Sequence, residues 1–277
     1  LLIDYVLTVS VSIAAGMDAL ASLNEAFRPV AVEMAVGLVA LVAIINLRGM
    51  KESGTIFAIP TYAFIVSLAA AIVVVLTKIL LHGGNPLIAG ELRESVTAVQ
   101  GVTLFLILRA FANGCTAMTG VEAVSNGVQA FKSPAPENAN KTLLAMALIL
   151  GSLFLGVTLI ARHLGFVPSE NNTIPSQLGA EAFGDGSPLF AFLQIMTAGI
   201  LVLAANTAFA DFPRLAAILA RDGYLPRVFH ARGNRLVFSY GIIVLSALAS
   251  TLIIVFNAQT TRLIPLYALG VFIGFTL

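Results

Sequence analysis

Eight apolar runs, most of them near the length of a membrane-spanning helix, constrain this chain more than any other feature of its sequence. The hydrocarbon core of a bilayer takes about 20 apolar residues in helical form. The runs fall at residues 1–23, 30–46, 55–81, 98–130, 142–162, 188–212, 236–256 and 263–277. They do not alternate apolar and polar residues, so a transmembrane β-barrel is excluded and an all-α membrane protein is expected. Composition agrees: 58% of the 277 residues are hydrophobic and 10% charged, against about 25% charged in soluble domains. Such a chain cannot cover itself with a wetted surface, which excludes both a soluble enzyme and a disordered chain. A net charge of +1 gives no sign of nucleic-acid binding, and the single Cys115 allows neither an intrachain disulfide nor a cysteine zinc site.

Both ends of the sequence, at Leu1 and Leu277, lie inside apolar runs without flanking charges. The chain therefore reads as one transmembrane domain over 1–277, an internal piece of a longer transporter, with N-terminal helices and a C-terminal part expected beyond it. The connections alternate between two sides. One side holds Arg48, Lys51, Lys132, Lys141, Arg214, Arg221, Arg227, Arg232 and Arg235; the other holds Arg28, Lys78, Arg93, Arg162 and Arg262. A Lys/Arg excess marks cytoplasmic loops, so loops 46–54, 131–141 and 211–237 are expected in the cytoplasm. Within 211–237, Pro213 to Asp222 reads as a short separate helix stopped at Gly223–Pro226. Residues 163–187 read as a loop on the other side.

The fourth run is too long and too polar for one plain helix. Arg109, Asn113, Gly114, Thr116, Thr119, Gly120 and Glu122 all lie in its middle. Each glycine costs a helix about 1 kcal/mol relative to Ala, and the polar side chains can satisfy freed backbone groups. The expectation is a helix broken near 113–120, which membranes tolerate only where the break is buried or lines a cavity. Broken helices at mid-membrane mark transporter binding sites; the other reading is an intact helix using small residues for close packing. Glu122, at the start of the inner half-helix, can ligate a cation or carry a proton, or can simply lock helices together. Arg109 needs a partner, and Asp18 is the candidate by depth.

In the first run, Tyr5, Thr8 and Ser12 share one helix face while Ser10 lies off it. Hydroxyl oxygens are hard ligands for a weakly hydrated cation, but Ser and Thr also serve as glue between helices. In the sixth run, Gln194, Thr197, Asn206 and Thr207 read as packing and gating groups. No phosphate-binding loop, metalloprotease motif or serine-hydrolase motif occurs in the sequence, and the three histidines stand singly. No enzyme and no cofactor are expected. A secondary transporter is the reading that remains, with a channel-like or scaffolding membrane protein as the rival.

Several separate stretches resemble the amino acid–polyamine–organocation (APC) superfamily: Asp4–Ser12, Arg109–Asn126, Phe131–Thr142, Ala210–Arg214, Arg221–Pro226 and Arg232–Ser239. The resemblance implies an APC/LeuT-like fold of two inverted five-helix repeats, with this chain supplying the third to tenth helices and the fourth run as the broken sixth. Within the superfamily the chain is most similar to Kup-related, KimA-type potassium importers, taken to be proton-coupled. Their pattern implies potassium ligation by Tyr5, Thr8 and Ser12 of the third helix, by Thr119 and Glu122 of the sixth, and a pathway role for Tyr267 of the tenth. The implied partners are potassium and a proton in a bacterial plasma membrane. The alternative from the same fold is an amino acid permease taking a small amino acid. Oligomeric state is left open, a homodimer being one option.

Overall fold

The computed structural model describes residues 2–49, 54–82, 103–115, 124, 128, 131–168, 172–230 and 238–276. Nine α-helices occur among them: α1 (Leu2–Ala21), α2 (Ala31–Leu47), α3 (Gly54–His82), α4 (Leu104–Cys115), α5 (Ala135–Leu164), α6 (Ile174–Phe183), α7 (Pro188–Arg221), α8 (Ser239–Val255) and α9 (Thr260–Thr276). Short 3-10 turns lie at Glu25–Phe27 and Arg227–Phe229. The described residues contain no strand, as the non-alternating runs require. Four spans, Leu2–Ala21, Phe57–Leu81, Ala135–Leu164 and Pro188–Arg221, are long and apolar enough to cross a bilayer; α2, α4, α8 and α9 are shorter apolar helices. Each of the eight runs thus carries an apolar helix, and the chain is an integral membrane protein.

Helix ends follow their capping chemistry. Ser187 and Thr173 accept from the backbone N–H groups of Phe190 and Ser176, with a proline in the first turn of each helix. α5 ends on Gly165 in the left-handed conformation, φ +70°.

α1 is the central element. It packs most extensively on α7, then on α9, α8 and α2. One core gathers Val9, Ile13, Met17, Val39, Phe209, Leu245, Ile253 and Leu263 around it. A second core joins α3, α5 and α6 to the start of α7 through Leu68, Ile72, Ile160, Leu164, Leu178 and Leu193. α7, 34 residues long and so ~50 Å at the usual rise, belongs to both and ties them together.

Three expectations change. Residues 174–183, read as loop, form α6, whose Ser176–Ala182 stretch is buried between α3, α5 and α7. Lys78 Nζ donates to the carbonyls of Glu181 at 2.6 Å and Ala182 at 3.2 Å, so a cation caps the negative end of that helix. Residues 213–221 are not a separate helix: α7 runs through Pro213 without interruption. The expected break at 113–120 is only partly open to inspection. Asn113, Gly114 and Cys115 are helical as the end of α4, contrary to the expectation for those positions. Residues 116–120 lie outside the described residues.

The contacts sort the loops to two ends. The end of α1, Arg28, the start of α2 and the α8–α9 connection share one pocket. Gly16 of α1 faces Ala198 in the first third of α7, so the start of α7 and α6 belong to this end, and Lys78 with them. At the opposite end Asn46 of α2 donates to Asn206 of α7 at 2.7 Å, and Gly241 of α8 meets Pro213.

Candidate functional site

The oxygen-bearing face of α1 is built by helical spacing. Asp4, Thr8 and Ser12 stand four residues apart, and Tyr5 sits between the first two turns of that ladder. Tyr5 and Thr8 are half-buried, and Ser12 is buried. Gly16, one further turn along the same face, approaches the backbone of α7 at Ala198 to 3.7 Å measured from an ideal Cβ. The Ser12 end of the ladder therefore runs into the α1–α7 contact.

Its other end meets α9. A Cβ on Gly270 would lie 2.8 Å from Leu7 Cδ1 and 3.9 Å from Asp4 Cα, so only glycine allows this closeness without displacing Leu7. Tyr267 lies three residues before Gly270, on the same face of α9, and is half-buried. By helical spacing Tyr267 therefore lies one turn from the point where α9 meets Leu7 and Asp4 of α1. Thr119 and Glu122 lie outside the described residues.

Asp4 is a candidate that the sequence reading leaves out of its ligand set. Only 6% of it is exposed, in the first turn of a membrane helix. A carboxylate in such a place is costly and marks ion or proton pathways. Its signal in the sequence is an ionisable residue inside an apolar run, one turn before Thr8.

Other polar residues of the runs have the following surroundings. Ser10, fully buried on the opposite face, donates to Val6 O at 2.8 Å and to Ala249 O of α8 at 3.3 Å, which makes it an α1–α8 tether. Thr197 and Thr207 return their hydroxyls to Leu193 O and Ala204 O of their own helix. Asn206 serves the α2–α7 contact. Gln194 is fully buried, and neither atom of its side-chain amide has a hydrogen-bond partner among the described residues. Arg109 is exposed on α4. Asp18 instead accepts from Thr260 Oγ1 at 2.6 Å and lines a pocket with Arg28, so the expected Arg109–Asp18 pairing is replaced by contacts with the α8–α9 turn. That pocket, about 280 Å³, also holds Asn257, Gln259 and Thr261, beside two left-handed residues, Asn257 and Ala258.

A buried carboxylate at Asp4 and the hydroxyls of Tyr5, Thr8 and Ser12 place oxygen atoms along one stretch of α1. Such a set suits a cation that gives up its water easily, and a carboxylate that exchanges a proton.

Comparison with known proteins bears on the whole chain. The potassium transporter KimA of Bacillus subtilis (strain 168) is 48% identical over 283 aligned residues, covering 100% of this chain. The chain spans 45% of that relative's length. The family model described as amino acid permease matches residues 1–277. With its whole length matched and an all-helical membrane architecture to go with it, the chain belongs to the amino acid permease family of the APC superfamily.

Proposed function

We propose that the protein carrying this chain imports potassium across a bacterial plasma membrane, driven by co-transported protons. The observation that carries the reading is the Asp4–Thr8–Ser12 ladder with Tyr5 and Tyr267 beside it, in a chain 48% identical to a protein named as a potassium transporter. Tyr5, Thr8, Ser12, Thr119 and Glu122 are the proposed potassium ligands, with Tyr267 lining the route. Glu122 and Asp4 are the proposed proton carriers, since each is a carboxylate within an apolar run. The end bearing Arg48, Arg214, Arg221 and Arg227 is proposed to face the cytoplasm, because cationic loops stay inside.

The family model's description favours a second reading, uptake of a small amino acid. A cation site needs oxygens and negative charge; the hydroxyls of Tyr5, Thr8 and Ser12 can serve either substrate, and the Asp4 carboxylate beside them favours the cation. The full-length protein, expressed in cells lacking potassium uptake, should restore growth at low potassium and accumulate labelled rubidium. Glu122→Gln should abolish both, because it keeps shape and loses the charge and the exchangeable proton. Wild-type rubidium uptake by Glu122→Gln would remove Glu122 from the site. Uptake of a labelled amino acid with no rubidium flux would replace potassium as the substrate.

A further inference from the structure

The end of α7 and the turn that follows it lie outside the proposed potassium ligands. Gly223, at φ +86°, reverses the chain and lets the 3-10 turn Arg227–Phe229 pack back on α7. This brings Arg227 and His230 beside Arg221, and together with Ala220 they line an open cavity of about 490 Å³. Asp222, 3.6 Å from Arg221 Nε, is the acidic group close by, so the cavity keeps a basic excess. The same stretch exposes apolar side chains: Tyr224 is 80% exposed, and Ile218 and Val228 are each about half exposed. Water disfavours that apolar surface, while the headgroup layer of a bilayer accepts an aromatic ring and Arg side chains side by side.

We propose that this cavity is a headgroup site for an anionic phospholipid, its phosphate held among Arg221, Arg227 and His230. Charge complementarity selects a phosphate-bearing ligand, and arginine forks suit its oxygens. A free phosphate would meet the same cations, but it would gain nothing from Ile218, Tyr224 and Val228, and those exposed residues favour the lipid. Anionic leaflets attract basic segments of this kind at the cytoplasmic surface.

The test uses the full-length protein in neutral detergent and counts retained lipids by native mass spectrometry after adding phosphatidylglycerol or phosphatidylcholine. Wild type should retain phosphatidylglycerol in preference. Arg227→Gln should weaken that retention about fivefold, and Arg221→Gln with Arg227→Gln roughly thirtyfold, from the usual contribution of each surface Arg. Lys141→Gln, which removes one exposed charge elsewhere, should change nothing. Undiminished phosphatidylglycerol retention in the double variant, or an equal loss in Lys141→Gln, would overturn the site. Inorganic phosphate that displaces phosphatidylglycerol at millimolar concentration and binds alone would overturn the lipid assignment. If the double variant is not recovered folded, the exposed Arg227→Gln change decides alone. Transport is not measured, so the outcome stands apart from the potassium reading.

Discussion

Thr8 and Ser10 sit two residues apart on α1 and present the choice between ligand and glue in one place. Ser10 bonds to its own helix and to Ala249 O across the α1–α8 contact, whereas Thr8 is half-buried on the ladder that faces α7 and α9. Thr8→Val keeps the side-chain shape and removes one hard oxygen. It should raise the half-saturation concentration for rubidium uptake about tenfold, the equivalent of roughly 1.4 kcal/mol. Ser10→Ala should leave uptake unchanged and lower thermal stability slightly, since an interhelical hydrogen bond in a membrane averages about 0.6 kcal/mol. Equal effects of the two changes on uptake would assign the ladder to packing. The sequence alone separates these residues by helical phase, because period 3.6 is legible without a structure. It does not reveal Ser10's cross-helix bond to Ala249, which depends on a partner 239 positions away.

Elements were legible where one apolar run makes one helix, and less so where tertiary packing decides. α6 is ten residues long and includes Ser176, Gln177 and Glu181, polar residues that read as loop until their burial between α3, α5 and α7 is seen. Its cap, Thr173 followed by Pro175, was the local signal available. Pro213 read as a helix start because proline breaks an isolated helix. In α7 the ring is buried against Gly241 of α8, where an ideal Cβ would stand 2.8 Å from Pro213 Cα and Cβ. The contact offsets the lost backbone bond and makes the glycine a requirement of the α7–α8 crossing. Gly241→Ala would drive a methyl into backbone, which cannot move aside like a flexible side chain, so about 1–3 kcal/mol of destabilisation is expected. Gly37→Ala, with open space around it, is the comparison and should gain up to about 1 kcal/mol from helix propensity. Thermal unfolding of the two purified variants in the same detergent checks the pair, and a Gly241→Ala protein as stable as wild type would mean the helices can part at no cost.

At the scale of the whole molecule, the alternation of charged loops divides the sequence into two sides, and contacts among the described residues group some of these cations. Arg28 and Lys78 fall with α6 and the α8–α9 turn, while Arg214 and Arg221 fall at the Asn46–Asn206 end. Such a division is legible because loop charge is local in sequence; which helices touch is not, since α1 gathers α2, α7, α8 and α9 from across the chain. The proposed orientation in the membrane rests on charge, with nine of the fifteen cations in the loops read as cytoplasmic. Replacing Cys115, the single cysteine, gives a background in which new cysteines report sidedness. Asp185→Cys, in the exposed turn between α6 and α7, should react with a membrane-impermeant maleimide in intact cells. Tyr224→Cys, 80% exposed at the other end of α7, should react only after the membrane is opened. The reverse pattern would invert the proposed orientation and with it the proposed direction of import. Labelling of both positions in intact cells would mean that α7 does not carry the chain from one side to the other.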